Sequence, residues 1–259
     1  MCTTCGCSSA DEPTVHDLGA HSHPHDHTHE HPHFPQHVGD ARTARILRLE
    51  QEVLAKNSHL AERNRGWLEG RKIFTVNLMG SPGAGKTTLL ERTIHDLAGE
   101  VAISVIEGDQ ETTRDAERIR AAGCRVVQIN TGAGCHLDAE MVSRGFEQLD
   151  PPTRSLLFVE NVGNLVCPAL FDLGEQAKVV LMSVTEGEDK PFKYSHMFRA
   201  SDLMILGKID LLHHLRFDPE RCLDYARRVN PRLGALQVSA ERGDGMEAWY
   251  AWLRERVAR

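Results

Sequence analysis

The stretch Gly80–Thr88, GSPGAGKTT, stands directly after the apolar run IFTVNLM (73–79) and just before a helical pattern that opens with Leu89 and Leu90. It satisfies GxxxxGK[ST] through Gly80, Gly85, Lys86 and Thr87. Glycines let such a loop turn its backbone N–H groups inward, so that Ser81, Gly83, Ala84, Gly85 and Thr88 cradle phosphate oxygens, and the helix N-terminus that follows adds a favourable dipole. In this pattern the lysine, Lys86, neutralises β/γ-phosphate charge and the hydroxyl of Thr87 ligates Mg²⁺. A Gly-rich turn arising by chance has no reason to sit between a strand and a helix, so the motif sets the fold as an α/β nucleotide-binding one.

Outward from the loop, short β-branched runs alternate with helical ones. The strand candidates are 73–79, 101–107, 125–130, 155–161, 178–184, 203–208 and 233–239. Alternation of this kind predicts a mostly parallel sheet with helices on both faces, the architecture of a P-loop NTPase. Two acids end apolar strands where a metal–phosphate centre needs carboxylates: Asp109 in VIEGDQ, and Glu160 in LLFVENVGN. The second resembles the DxxG element that senses the γ-phosphate, with Glu160 in the Asp position and Gly163 supplying a backbone N–H. Asp109 is a candidate for orienting water or the Mg²⁺ shell. LMILGKIDLL resembles the guanine-reading NKxD element through Lys208 and Asp210, with Gly207 in place of Asn. VSAERGDG resembles the SA[KL] loop through Ser239 and Ala240, with Glu241 departing. A carboxylate at 210 accepts hydrogen bonds from the N1–H and amino group of guanine, which adenine does not offer, so GTP is favoured over ATP.

The seven cysteines divide into classes. Cys2, Cys5 and Cys7 crowd the N-terminus within reach of one ion, and three soft thiolates suit nickel, zinc or copper(I). The tract HSHPHDHTHEHPHFPQH (21–37) adds imidazoles that bind several such ions weakly. Cys135 and His136, in TGAGCHLD, follow the third strand, and Cys167 follows the fourth. In a parallel sheet both positions fall on the edge that carries the phosphate loop, so these three are expected to converge as a second metal site. Cys124 and Cys222 lie in helical or helix-end contexts and read as packing residues.

Composition limits the function classes. A net charge of -7 argues against a nucleic-acid surface, and no apolar run approaches the length of a membrane span. The absence of a basic-then-apolar leader and an odd cysteine count point to a reducing cytoplasm. Residues 1–41 hold nine of the fifteen histidines and almost no aliphatic side chains, which predicts a disordered, metal-binding tail. Residues 42–70 read as an amphipathic helix with Ile46, Leu49, Val53, Leu60 and Trp67 on its apolar face, packed on the main domain or paired in a coiled coil. Residues 71–259 form the GTPase domain.

Together CxxCGC, the His-rich tract, GSPGAGKTTLL, EGD, GAGCHLD and ENVGNLVCPA resemble the nickel-insertion GTPases of hydrogenase maturation, the HypB family, over the full chain. The resemblance implies a dimerising P-loop GTPase of the SIMIBI class that delivers nickel to the large subunit of [NiFe]-hydrogenase. It also implies work with a HypA-type accessory protein and, in some organisms, with the nickel-storing protein SlyD. Cys2, Cys5 and Cys7 match the family's tight nickel site, and Cys135, His136 and Cys167 its nickel or zinc site in the G domain. Two other readings compete. Urease-type relatives carry a Cys-Pro-His motif and cobalt relatives a CxCC-like loop, and both are absent here. A nickel store with GTP-gated affinity is the other alternative.

Overall fold

The computed structural model describes residues 37–110, 113–132 and 134–258, with the side chains of 37–44, 46, 47 and 50 left outside that description. The cysteines at 2, 5 and 7 and most of the His-rich tract therefore lie outside the described residues. The chain divides between Glu52 and Val53. A long helix, α1 (His37–Gly70), runs through this point and begins earlier than the pattern from Ala41 predicts.

After α1 come β1 (Phe74–Gly80), α2 (Lys86–Asp96), β2 (Ile103–Asp109), α3 (Arg114–Ala121), β3 (Arg125–Asn130), α4 (Ala139–Leu149) and β4 (Leu156–Glu160). The remainder is β5 (Ala177–Ser183), α5 (Lys190–Lys193), α6 (Ser195–Ala200), β6 (Leu203–Gly207), α7 (Pro219–Val229), β7 (Gly234–Gln237) and α8 (Met246–Val257). The seven strands pair in parallel in the order β3-β2-β4-β1-β5-β6-β7. All seven expected strands appear, β3 with the expected bounds and the others with ends shifted by no more than two residues.

The period of two along each strand explains both faces. Val76 and Leu78 of β1, Leu156 and Phe158 of β4, and Val179 and Leu181 of β5 enter one core with Leu89 and Leu90 of α2 and Trp249 of α8. Their neighbours point the other way. Leu157 and Val159 pack with Leu68 of α1 and Phe146 of α4, while Val180 and Met182 pack with Phe198 of α6 and Leu223 of α7. A strand buried on both faces reads as a continuous apolar run, which is why LLFVE and KVVLMS lack polar alternation. Trp249 is fully buried, and its indole N–H donates to Thr93 Oγ1 at 2.9 Å, so its polar atom is not stranded.

The apolar face expected of α1 needs correction. Leu49 and Val53 are exposed, whereas Leu60 is half-buried and Trp67 stacks on Phe146 with ring centroids 5.3 Å apart. The fully buried residues of the helix, among those described, are Asn57, Ala61, Asn64 and Leu68. Their spacing of four, three and four is helical, but two of the four are polar, so a hydrophobic scan catches the flank of the buried stripe and misses its centre. Asn57 and Asn64 are buried because loop backbone groups satisfy their amides.

Cys124 and Cys222 are buried, as expected of packing residues, and burial pushes both thiols up to about 12. No described helix is long and apolar enough to cross a membrane.

Candidate nucleotide and metal site

β1 ends between β4 and β5, and its last residue begins the phosphate loop. Gly85 caps α2 with φ 102°, a left-handed conformation that an L side chain adopts at a cost, and Lys86 and Thr87 open the helix. The Lys86 ammonium curls back toward the carbonyls of Gly80 and Ser81 at 3.5 and 3.4 Å. Burial lowers its pKa, against the opposing pull of Glu160 and other carboxylates. Above this loop lies a cavity of about 440 Å³ whose walls include Gly83, Gly85, Thr88, Asp109, Glu160 and Gly163. That volume falls in the range of small-molecule sites.

The Thr87 hydroxyl donates to Glu160 Oε1 at 2.8 Å, which joins the two residues expected to meet at a magnesium ion. The second oxygen of Glu160 is buried with no hydrogen-bond partner, and so is Oε2 of Glu107. Glu107 stands directly across from Glu160 in the parallel register of β2 and β4. Burial pushes Glu160 up to about 7 and Glu107 up to about 8, the charge of Glu160 adding to the effect on Glu107. Two buried acids with orphaned oxygens beside a hydroxyl form an oxygen-rich donor set that suits Mg²⁺. The sequence reading missed Glu107 and assigned its neighbour Asp109. The available signal was the position of Glu107 in VIEGD, on the strand-end segment that a P-loop uses for carboxylates. Asp109 lines the same cavity nearer its mouth, where its side chain accepts from the Gln110 N–H at 2.7 Å.

A second cavity, about 230 Å³, adjoins the first and is lined by Ala84, Gly207, Lys208, Asp210, Ala240 and Glu241 among others. Lys208 takes a left-handed backbone, φ 61°, and its ammonium donates to the Gly83 carbonyl at 2.7 Å. Ser239 Oγ donates to Asp210 Oδ1 at 2.6 Å, and Asp210 lines this cavity. The NKxD-like and SA-like segments thus meet at one pocket, although 29 residues separate Asp210 from Ser239.

On the same sheet edge Cys135, His136 and Cys167 bring their ligand atoms within 4.8 Å of one another. Cys135 Sγ lies 3.1 Å from Cys167 Sγ and 3.7 Å from His136 Nδ1. Cys167 is fully buried at the start of a short 3-10 turn (Cys167–Ala169), and the His136 ring rests on Phe171 at 3.9 Å between centroids. Burial lowers the His136 pKa despite the nearby charge of Asp138, which keeps the imidazole neutral and able to bind a metal. Two sulfurs and one imidazole suit nickel, zinc or copper.

A third group escaped the sequence reading. Ser81 of the phosphate loop donates to Glu186 Oε2 at 2.7 Å, and Lys190 of α5 contacts both residues. The segment after β5 is thereby tied to the loop by the Ser81 hydroxyl, which hydrogen-bonds both members of the Glu186–Lys190 ion pair.

Comparison with known proteins gives a consistent result. The model of the CobW/HypB/UreG nucleotide-binding domain matches residues 74–237. The chain is 52% identical over 291 residues to hydrogenase maturation factor HypB of Rhizobium leguminosarum bv. viciae, covering all of this chain and 97% of that protein. It is 53% identical over 217 residues to HypB of Escherichia coli K12, covering 84% of this chain and 75% of that protein. The crystal structure of HypB from Archaeoglobus fulgidus superposes with a TM-score of 0.74 at 40% identity, covering 78% of this chain and 99% of that one. HypB from Helicobacter pylori, solved in complex with nickel, superposes with the same TM-score at 34% identity, covering 78% of this chain and 95% of that one.

Proposed function

Since the chain belongs to the HypB family of hydrogenase maturation factors, we propose that it is a GTP-hydrolysing nickel metallochaperone that delivers nickel during assembly of [NiFe]-hydrogenase. The observation that carries this reading is the convergence of Cys135, His136 and Cys167 on the sheet edge that also bears the phosphate loop. A metal cargo site and a nucleotide site on one edge allow one to control the other. The nickel complex of the Helicobacter pylori relative supports nickel as the cargo, and zinc competes for the same donors.

Hydrolysis is in-line attack of water on the γ-phosphate of GTP. The Lys86 ammonium and backbone N–H groups of the phosphate loop stabilise charge on the transferring group. Thr87 and Glu160, with Glu107 close by, would hold Mg²⁺, which would supply positive charge to offset that of the phosphates. Gly163 and Asp109 both line the cavity above the phosphate loop, and in this reading the Gly163 N–H senses the γ-phosphate while Asp109 orients water. Asp210, held by Ser239, selects guanine through its donor edge, with Ala240 beside it. Arg118 lines the phosphate-loop cavity but is held by Glu91, Asp115 and Thr88, and slow intrinsic turnover is expected if catalysis lacks a group supplied in trans by a GTP-dependent homodimer. The partners proposed are a HypA-type accessory protein, the hydrogenase large subunit and, where present, SlyD. No nucleic acid or membrane is involved.

Cys2, Cys5 and Cys7, with the His-rich tract, supply a tight site and a buffer for the same metal. That composition also favours the second reading, a nickel store whose affinity GTP gates. Single-turnover hydrolysis of GTP, measured with and without nickel, separates the two. A maturation GTPase turns over and changes its rate when nickel is present, whereas a store shows no useful turnover in either condition.

A further inference from the structure

The two ligand-bearing loops are 32 residues apart in sequence, and one side chain ties them together. Asn164 Nδ2 donates to the Cys135 carbonyl at 3.3 Å, and Asn164 Oδ1 accepts from the Val166 N–H at 2.8 Å, one residue before Cys167. Its backbone forms an antiparallel bridge with Gly80, the first residue of the phosphate loop. It also directly follows Gly163, which leaves no room for a side chain: a Cβ there would meet Pro82 of the phosphate loop at 2.9–3.0 Å. Asn164 thus touches the phosphate loop through its backbone, the first ligand loop through its amide N–H, and the second through its amide oxygen.

Other links between nucleotide and metal exist but are less complete. Gln110, just after β2, and Thr131, just after β3, both donate to the Gly134 carbonyl, at 3.2 and 2.8 Å, and so steady the Cys135 loop. Neither reaches the Cys167 segment by any described hydrogen bond. Asn161 accepts from the Leu137 N–H at 3.2 Å and donates to Asn77, holding the base of the loop rather than its ligands.

From this arrangement we propose that Asn164 is the positioning residue that couples nucleotide state to metal affinity: displacement of Gly163 by a γ-phosphate moves the Asn164 amide and, with it, Cys135 relative to Cys167. The inference rests on the nucleotide-controlled metal site set out above and names the group that transmits the control. Coupling between sites is a difference in affinity between two states, commonly about 5–150-fold, and it disappears when the element that both sites bias is cut. Asn164→Asp makes the cut selectively. The carboxylate keeps an acceptor for Val166 N–H but loses the donor to the Cys135 carbonyl, whereas Asn164→Ala loses both.

The test is a nickel titration of the full-length chain carrying Cys2→Ser, Cys5→Ser and Cys7→Ser, followed by the thiolate-to-nickel charge-transfer absorption of the inner site. Dissociation constants are compared with GDP and with a non-hydrolysable GTP analogue bound. With Asn164 intact the two constants differ at least about fivefold, and in Asn164→Asp they converge to within about twofold while the absorption band persists. An affinity that falls equally in both nucleotide states, leaving the ratio intact, marks a merely structural role and overturns the proposal. So does a wild-type ratio in Asn164→Asp and Asn164→Ala. If Asn164-intact protein shows no ratio at all, the failure belongs to the nucleotide-controlled site itself.

Discussion

Glu107 and Glu160 carry the clearest consequence at the residue scale. Burial pushes them to about 8 and about 7, whereas an ordinary glutamate titrates at 4.5. Measured without nucleotide and with a chelator present, the folded chain keeps protons that the unfolded chain has already released. The contribution of these two groups to stability is therefore greatest at or below the ordinary carboxyl range, and it falls as pH rises from there toward about 8. Glu107→Gln removes one of the two protonated acids and leaves an uncharged side chain of the same shape. The expected result is a smaller loss of stability between about pH 5 and pH 8, read by denaturant unfolding. An identical loss in both proteins would mean that Glu107 is ionised in the fold. The placement of Glu107 was hard to read from sequence because VIEGD offers two acids, and only the register with β4 sets one of them opposite Glu160.

At the scale of elements, α1 does more than cover the sheet. Asn64 donates to the carbonyls of Ala139 and Leu173 at 2.8 and 3.0 Å. Asn57 accepts from the Ala139 N–H and donates to the Asp172 carbonyl, at 2.9 and 2.7 Å. Both asparagines thus bridge the start of α4, which follows His136, to the segment that follows Cys167. Arg65 reinforces the hold on that segment through the Glu175 carbonyl and the Asp172 carboxylate. Asn64→Ala strips two buried carbonyls of a partner, and each unsatisfied group costs about 1–3 kcal/mol. The midpoint of urea unfolding should fall accordingly, and a shift under about 0.5 kcal/mol would show that water or relaxation replaces the bonds. Periodicity located this helix and placed Trp67 against the core, but it took exposed Leu49 and Val53 for the buried face and missed the asparagines, which a scan for apolar residues passes over.

The whole molecule presents two separable sets of soft ligands. The inner set is assembled by the sheet, and the outer set lies within seven residues of the N-terminus. If the sets are independent, replacing Cys2, Cys5 and Cys7 by serine removes one tightly held nickel ion per chain, and Cys135→Ala removes another. The combined variant then loses both, read by equilibrium dialysis with metal analysis. A combined loss equal to that of either change alone would mean that both sets share one ion.

Read alone, the chain specified its local chemistry. A phosphate loop needs glycines at fixed offsets, a parallel strand needs an apolar run, and a metal site needs thiols and imidazoles; each lies within a window of a few residues. It also located the cysteines that would meet, through the general rule that parallel strands share a carboxyl edge. Tertiary structure decided which groups are neighbours across the sheet. Glu107 faces Glu160 because β4 lies between β2 and β1, and Asn164 joins two loops because the end of β4 runs beside the phosphate loop. The buried face of α1 follows from loop carbonyls that need donors, a demand set by residues about 75 to 110 positions away. Strand order and polar satisfaction are properties of the assembled chain, so no local window of sequence contains them.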